Sequence, residues 1–260
     1  MEYKTTHLVC FSPTHSSHTI ANAVARGTGI TQVKEIDLTY KMPDRIVCVE
    51  NSLAIIAVPV YAGRVASTAL ERLKRIEGKQ TPVILVVLYG NRDYEDALLE
   101  LKDWAIAAGF VPLAGGAFIG EHSYSRPDKP IAANRPDKND QQIAFNFGRD
   151  AVQRLTGMFS LDAYPMLDVK GNFPYKESKP KTPEAPVTVD ELCMQCGHCV
   201  EICPVQAITL QGRIMSDKEL CIKCCACVKQ CPGEARVFDT PYTDMLFTHF
   251  SARREPELFL

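Results

Sequence analysis

Residues 53–60 read LAIIAVPV and residues 82–89 read PVILVVLY. Both runs are nearly all apolar, without the inside–outside alternation that a sheet with one wet face imposes. They fit strands of a parallel sheet, covered by helices on both faces. Working outward, further strand candidates are His7–Phe11, Val33–Leu38 and Leu113–Ile119. Helical periodicity fills the intervals at Thr19–Arg26, Ala66–Ile76, Tyr94–Ala108 and Asp140–Leu155. Gly27, Gly78 and Gly109 stand where a helix would end on a left-handed residue. Alternating β and α segments of these lengths predict a doubly wound α/β domain over residues 1–158.

At 260 residues the chain exceeds the usual ~100–200 of a single domain, which favours two. A net charge of −2 gives no electrostatic case for nucleic acid. No apolar stretch approaches the ~18 residues of a membrane span, and residues 1–11 lack the basic start and apolar stretch of a signal peptide. A cytoplasmic location is expected. Of 11 cysteines, all but Cys10 and Cys48 lie between Cys193 and Cys231. Without an export signal, cysteines bunched at C-x-x-C spacing favour metal over disulfides.

The α/β pattern breaks at GNFPYKESKPKTPEAP, residues 171–186, rich in Pro and Lys with almost nothing to bury. Such a segment favours an extended spacer, and residues 159–186 read as a linker. Residues 187–237 contain a repeat: CMQCGHCVEICPVQA at 193–207 aligns with CIKCCACVKQCPGEA at 221–235 at a constant offset of 28 residues. The remaining stretch, 238–260, is an aromatic tail too short to fold alone; packing back over the first domain is its simplest fate.

Each repeat is a C-x2-C-x2-C-x3-C-P run. Three thiolates at this spacing converge on one iron–sulfur cube, and the fourth ligates the other cluster. That assigns one 4Fe-4S cluster to Cys193, Cys196, Cys199 and Cys231, and a second to Cys221, Cys224, Cys227 and Cys203. Structural zinc is the competing reading, but its ligands usually come as two well-separated pairs. The offset makes Cys225 surplus, in the place of Gly197, where it reads as a small buried side chain. The module resembles a bacterial two-cluster ferredoxin over about 45 residues, which implies one-electron transfer at low potential.

A doubly wound sheet binds its ligand beyond the carboxyl ends of its strands. The loop after the first strand, residues 12–19, is SPTHSSHT: rich in hydroxyls, free of Lys and Arg, and leading into a helix. It suits a phosphate, or serves simply as a helix cap. The next two such loops are Pro59-Val60-Tyr61-Ala62-Gly63-Arg64 and Tyr89-Gly90-Asn91-Arg92-Asp93-Tyr94. Each puts an aromatic and a glycine where a flat ring would dock.

With SPT at 12–14, PVYAGRV at 59–65, YGNRDYEDALLEL at 89–101, GEHSYS at 120–125, RPDKND at 135–140 and REPELFL at 254–260, the sequence resembles the flavodoxin-fused ferredoxin family over nearly its whole length. The resemblance implies a flavodoxin-like sheet of order 2-1-3-4-5 and bound FMN. Ser12, Thr14, Ser16 and Ser17 would hold its phosphate, and the Tyr61 and Tyr94 loops would enclose its ring. His15 departs from the glycine of the family's phosphate loop; it either donates to the phosphate or marks a reshaped loop. His122 either faces the flavin as a proton relay or is a loop histidine bonded to backbone.

The combination implies an electron-transfer flavoprotein working between protein redox partners. An FMN-dependent reductase of a quinone- or nitro-type acceptor is the alternative, and a redox sensor a weaker one. No G-x-G-x-x-G fingerprint is present for a nicotinamide.

Overall fold

A computed structural model describes residues 2–158, 160–162, 164–177, 180 and 182–260. Of the expected linker, Phe159, Ala163, Ser178, Lys179 and Lys181 lie outside the described residues. The first part of the chain runs β1 (Thr5–Cys10), α1 (Ser16–Gly27), β2 (Gln32–Asp37), β3 (Leu53–Tyr61), α2 (Ser67–Leu73), β4 (Thr81–Tyr89), α3 (Ala97–Ala107), β5 (Phe110–Ile119) and α4 (Lys138–Gln153). The five strands pair in parallel in the order β2-β1-β3-β4-β5, the expected flavodoxin-like arrangement.

The two apolar runs are its centre. Val9 lies opposite Ile36 and Ile56, and Ile56 opposite Leu85. Leu8, Ile55, Val86 and Phe118 pack with Ile20, Val24 and Phe147 of α1 and α4. On the other face Val9, Ile56, Leu85 and Val87 pack with Leu73, Leu98 and Leu101 of α2 and α3. Since every residue of β4 is buried, neither face could be polar. β2, at the edge, is charged and largely exposed, a composition that discourages pairing with other chains.

Two expected helix ends differ. The helix expected over 66–76 stops at Leu73, because Ile76–Gly78 pairs as a short strand with Val47–Val49. Gly78 is thus not a helix end; a Cβ there would meet the Phe110 ring at 2.8 Å. Gly27 is the last residue of α1 and owes its identity to helix packing. A Cβ on it would lie 1.9 Å from the Phe145 carbonyl oxygen, and one on Gly148 2.1 Å from that of Val24. Only Gly109, at φ +86°, is the left-handed terminus expected of it.

The segment after α4 is bound rather than free. Leu167 and Val169 are buried in the core on the α3 face. The Asn172 and Lys176 N–H groups donate to Asp96, and the Tyr175 hydroxyl donates to Asp103. The cysteine-rich part follows as α5 (His198–Glu201), β6 (Ile208–Leu210), β7 (Ile214–Ser216) and α6 (Ala226–Lys229), with Val187–Thr188 pairing Arg236–Val237. The tail returns to the first domain as α7 (Pro241–Phe250) and β8 (Glu257–Phe259), the latter adding antiparallel to β5.

The glycine contact between α1 and α4 can be tested directly. Gly148→Ala should cost about 2 kcal/mol or more, read as a lower urea midpoint at unchanged m. Gly29→Ala, with open space but φ +74°, should cost about 1 kcal/mol. Equal losses would mean that the helices part without strain.

Candidate functional site

The repeat in sequence is a repeat in backbone. Gln195, Gly197 and Gln206 are left-handed, and so are Lys223, Cys225 and Glu234, each 28 positions on. Cys225, at φ 57°, thus takes the conformation of Gly197 at 77°, and its thiol is buried, as its surplus position implied. The sulfurs of the two C-P cysteines are matched as well. Ala207 N–H donates to Cys203 Sγ at 3.2 Å and Ala235 N–H to Cys231 Sγ at 3.3 Å.

Cys193, Cys196, Cys199 and Cys231 line one hollow. Burial pushes the Cys199 thiol up, Arg236 opposes this, and the neighbouring Cys231, Cys193 and Cys196 add to the rise. Burial pushes Cys224 up to about 12; the Ala226 N–H opposes this, while Cys227, Cys203 and Cys221 reinforce it. Cys199 is thus influenced by Cys231, Cys193 and Cys196, and Cys224 by Cys227, Cys203 and Cys221. In a tetrahedral zinc site the sulfurs lie about 3.8 Å apart. Among the described residues no group of three or more His, Cys, Asp or Glu side chains is arranged to hold a single metal ion. Loading any soft-metal core would draw protons off these thiols.

At the carboxyl edge of the sheet, the loop after β1 turns into α1 through His15, whose φ of 63° is what a glycine there would supply. Ser12 and Ser17 are buried, Thr14 and Ser16 half-buried, and His15 exposed. Ser12 Oγ accepts from His18 N–H at 3.1 Å, which leaves its hydroxyl hydrogen to donate. Ser16 and Ser17 open the helix, so their N–H groups lack intrahelical partners. This loop could hold a phosphate.

The next loop is a hairpin: Tyr61 pairs with Arg64 around Ala62 and Gly63, both at positive φ. Pro59, Val60 and Tyr61 are half-buried. The third loop is engaged with the tail. Tyr94 is fully buried; its hydroxyl donates to Glu257 of β8 at 2.6 Å and Lys170 sits over its ring. Tyr89, tilted against it at 5.5 Å, is likewise buried. Arg92 pairs with Glu95, and its carbonyl accepts from Arg254. Asn91 Nδ2 donates to the Phe250 and Ala252 carbonyls, while its buried Oδ1 has no partner among the described residues. At Gly90 a Cβ would strike the His122 ring at 2.4 Å.

His122 is bonded to backbone, the simpler of its two readings. Tyr124 N–H donates to its Nδ1 at 3.0 Å, which assigns the hydrogen of the neutral ring to Nε2. Burial lowers its pKa to about 4, helped by Lys229 and Arg92. Burial thus keeps the ring in its neutral form at neutral pH.

The cysteine-rich part sits on this edge. Lys229 pairs with Glu121 and donates to the Ser125 carbonyl at 2.7 Å. Gln230 Nε2 donates to the Pro13 carbonyl at 3.0 Å, and its Oε1 meets His15 Nε2 at 3.1 Å. Arg72 donates to the Leu38, Thr39 and Pro204 carbonyls. Tyr61 and Tyr124 flank the Cys224–Cys225 side. Burial lifts both phenols above their ordinary value, with Cys224 and Cys225 adding for Tyr61 and Cys225 for Tyr124. Lys229, Gln230 and Tyr124 lie within quoted motifs, but neither they nor Arg72 were singled out in the sequence, because the motifs do not mark these positions.

Residues 186–209, which hold Cys193, Cys196, Cys199 and Cys203, match the family model of the 4Fe-4S binding domain. No curated protein matches the chain. Similar solved structures include a flavodoxin from the domain Archaea, 11% identical, covering 58% of this chain and 98% of that one at a TM-score of 0.39. A Fusobacterium nucleatum flavodoxin variant bound to flavin mononucleotide is 15% identical over 58% and 96%, at 0.41. Rubredoxin oxygen:oxidoreductase from the anaerobe Desulfovibrio gigas is 12% identical over 58% and 35%, at 0.35. The fold stands on the strand order itself: a flavodoxin-like α/β domain is joined to a ferredoxin-like segment with a 4Fe-4S binding domain. Among the described residues no helix is long and apolar enough to cross a membrane.

His122 yields a pH prediction. It titrates near 4 when folded and near about 6.5 when unfolded, so on acidification the unfolded chain takes the proton first. Its stabilising effect is complete above about pH 6.5 and is lost as pH falls toward 4. Urea stability profiles of wild type and His122→Asn should therefore differ in slope within that window. Parallel profiles would place the acid sensitivity elsewhere.

Proposed function

We propose that the chain is an electron-transfer protein with two 4Fe-4S clusters and one FMN. The carrying observation is the docking of the Cys221–Cys227 half beside Tyr61, on the edge of the sheet where a doubly wound fold binds its ligand. Cys193, Cys196, Cys199 and Cys231 would hold one cluster, and Cys203, Cys221, Cys224 and Cys227 the other. Ser12, Thr14, Ser16 and Ser17 would hold the FMN phosphate, with His15 giving the loop its left-handed turn. Residues 59–63 and 89–92 would border the ring, with the buried Asn91 Oδ1 left over as an acceptor. When bound, clusters exchange single electrons and the flavin one or two.

The protein's part is placement. Lys229, Gln230 and Arg72 hold one cysteine group against the carboxyl-edge loops, and Ala207, Ala235 and Arg236 direct donors at cysteine sulfurs, a known lever on potential. The division of the chain we favour is residues 1–158, a connecting segment to 186, a ferredoxin-like unit to 237, and a tail that belongs with the first unit. The alternative, reduction of a small quinone- or nitro-type acceptor at the flavin, draws less support. It needs an open ring face and a proton donor, whereas the ferredoxin-like unit covers this edge and His122 is neutral.

Anaerobic purification with iron, sulfide and flavin quantified tests the reading; about eight irons and one FMN per chain are expected. Cys203→Ser should lose about half of the iron, and Cys225→Ala none. Zinc in place of iron, or no flavin, would overturn the two halves of the reading separately.

A further inference from the structure

The two halves of the cysteine repeat are alike in backbone and unlike in surroundings. On the second half, Ile222 packs against the core of the first domain and beside Tyr61, and Cys224 and Cys225 are buried. The residues 28 positions earlier, Met194, Cys196 and Gly197, have no such cover: Met194 is 64% exposed and Cys196 is exposed. Leu192, 52% exposed, joins Met194 in lining the hollow that Cys193, Cys196, Cys199 and Cys231 share. One half therefore displays how this face behaves when a protein sits on it, and the other presents the same face to solvent.

Charge distinguishes the two faces. The covered half brings cations to its contacts, Lys223 to Glu184 and Lys229 to Glu121. Around the open half, residues 187–206 and 231–235 contain Asp190, Glu191, Glu201 and Glu234 and no Lys or Arg; of the nearest cations Arg236, which lines the hollow, is buried, and Arg213 and Lys218 line a neighbouring hollow beside Asp190. All four carboxylates lie on exposed residues. A second copy of this chain offering the same face would be repelled.

We propose that the surface around Leu192, Met194 and Cys196 is the docking face for an external redox protein with a basic rim. This rests on the electron-transfer reading above. An apolar centre within a charged rim is the anatomy of a small, transient interface, and opposite charges raise the rate of encounter. The event served is simple. One electron passes between the chain and the partner's metal or flavin centre, one side rising and the other falling by one oxidation level. No bond forms and no proton moves.

The test uses the holoprotein with a lysine-rich c-type cytochrome and an acidic cytochrome b5 as probes. Affinity is read by calorimetry with both proteins oxidised, and the second-order transfer rate by stopped flow after reduction. Glu191→Lys/Glu201→Lys and Met194→Asp are compared with Glu71→Lys/Glu77→Lys, which makes the same charge change on the first domain. Wild type should bind the basic probe more tightly than the acidic one. The Glu191/Glu201 pair should lower both affinity and rate about tenfold at low salt, an effect shrinking as salt rises. Met194→Asp should weaken binding without altering reduction by dithionite, and the control pair should leave the basic probe's binding within about twofold. Equal effects from the two charge pairs, or no preference for the basic probe, overturn the proposal. If instead the wild-type chain carries no iron, the electron-transfer reading itself has failed, and the iron assay separates the two results.

Discussion

Lys229 and Gln230 lie, with Val228, in the gap between two ligand-type cysteines, Cys227 and Cys231, and they also reach the first domain. Lys229 meets Glu121 and the Ser125 carbonyl, and Gln230 meets His15 and the Pro13 carbonyl. Sulfur ligands on either side would fix the backbone from which both side chains spring. The same few residues thus set where each thiol points and how the segment seats on the sheet edge. A displacement of one carries over to the other, since the two adjacent side chains contact the 12–15 and 121–125 loops together.

Ion pairs at a surface are worth little singly, so these polar contacts set register more than they supply affinity. Apolar cover supplies the rest: Ile222, Ile202 and Ala226 close over Tyr61, and Phe238 lies edge-on to Tyr124 at 5.1 Å. Arg72 binds the ends together from below, donating to the Leu38 and Thr39 carbonyls after β2 and to the Pro204 carbonyl after Cys203. His15 reads differently in this setting. In place of a glycine it keeps the left-handed turn and offers its ring to Gln230, a contact that glycine would lack.

What was legible in the sequence was local. The apolar runs in β3 and β4 announced a sheet covered on both faces, and the cysteine spacing announced its own repeat, because ligand geometry is fixed within a dozen residues. The Tyr94–Glu257 bond could not be read because the partners lie 163 positions apart, while an aromatic beside a glycine is a local pattern. β8 could not be seen at all: three residues, ELF, are too short for any period to declare itself. Gln230 and Lys229 were silent for the same reason, their partners lying 215 and 108 positions off. Gly27 and Gly148 were visible as glycines, but the need for them arises where two helix backbones touch.

The cysteine-rich segment is held at both of its ends. It departs from the first domain along the residues 167–176 bound to α3, and it returns through α7 to a strand paired with β5. A segment leashed on two sides gives up its translational freedom once, during folding, rather than at each encounter. Its local concentration at the sheet edge stays far above what a free segment would reach, so under the proposed function exchange between the two units would not slow on dilution. Only traffic with molecules outside the chain would depend on how much of them is present.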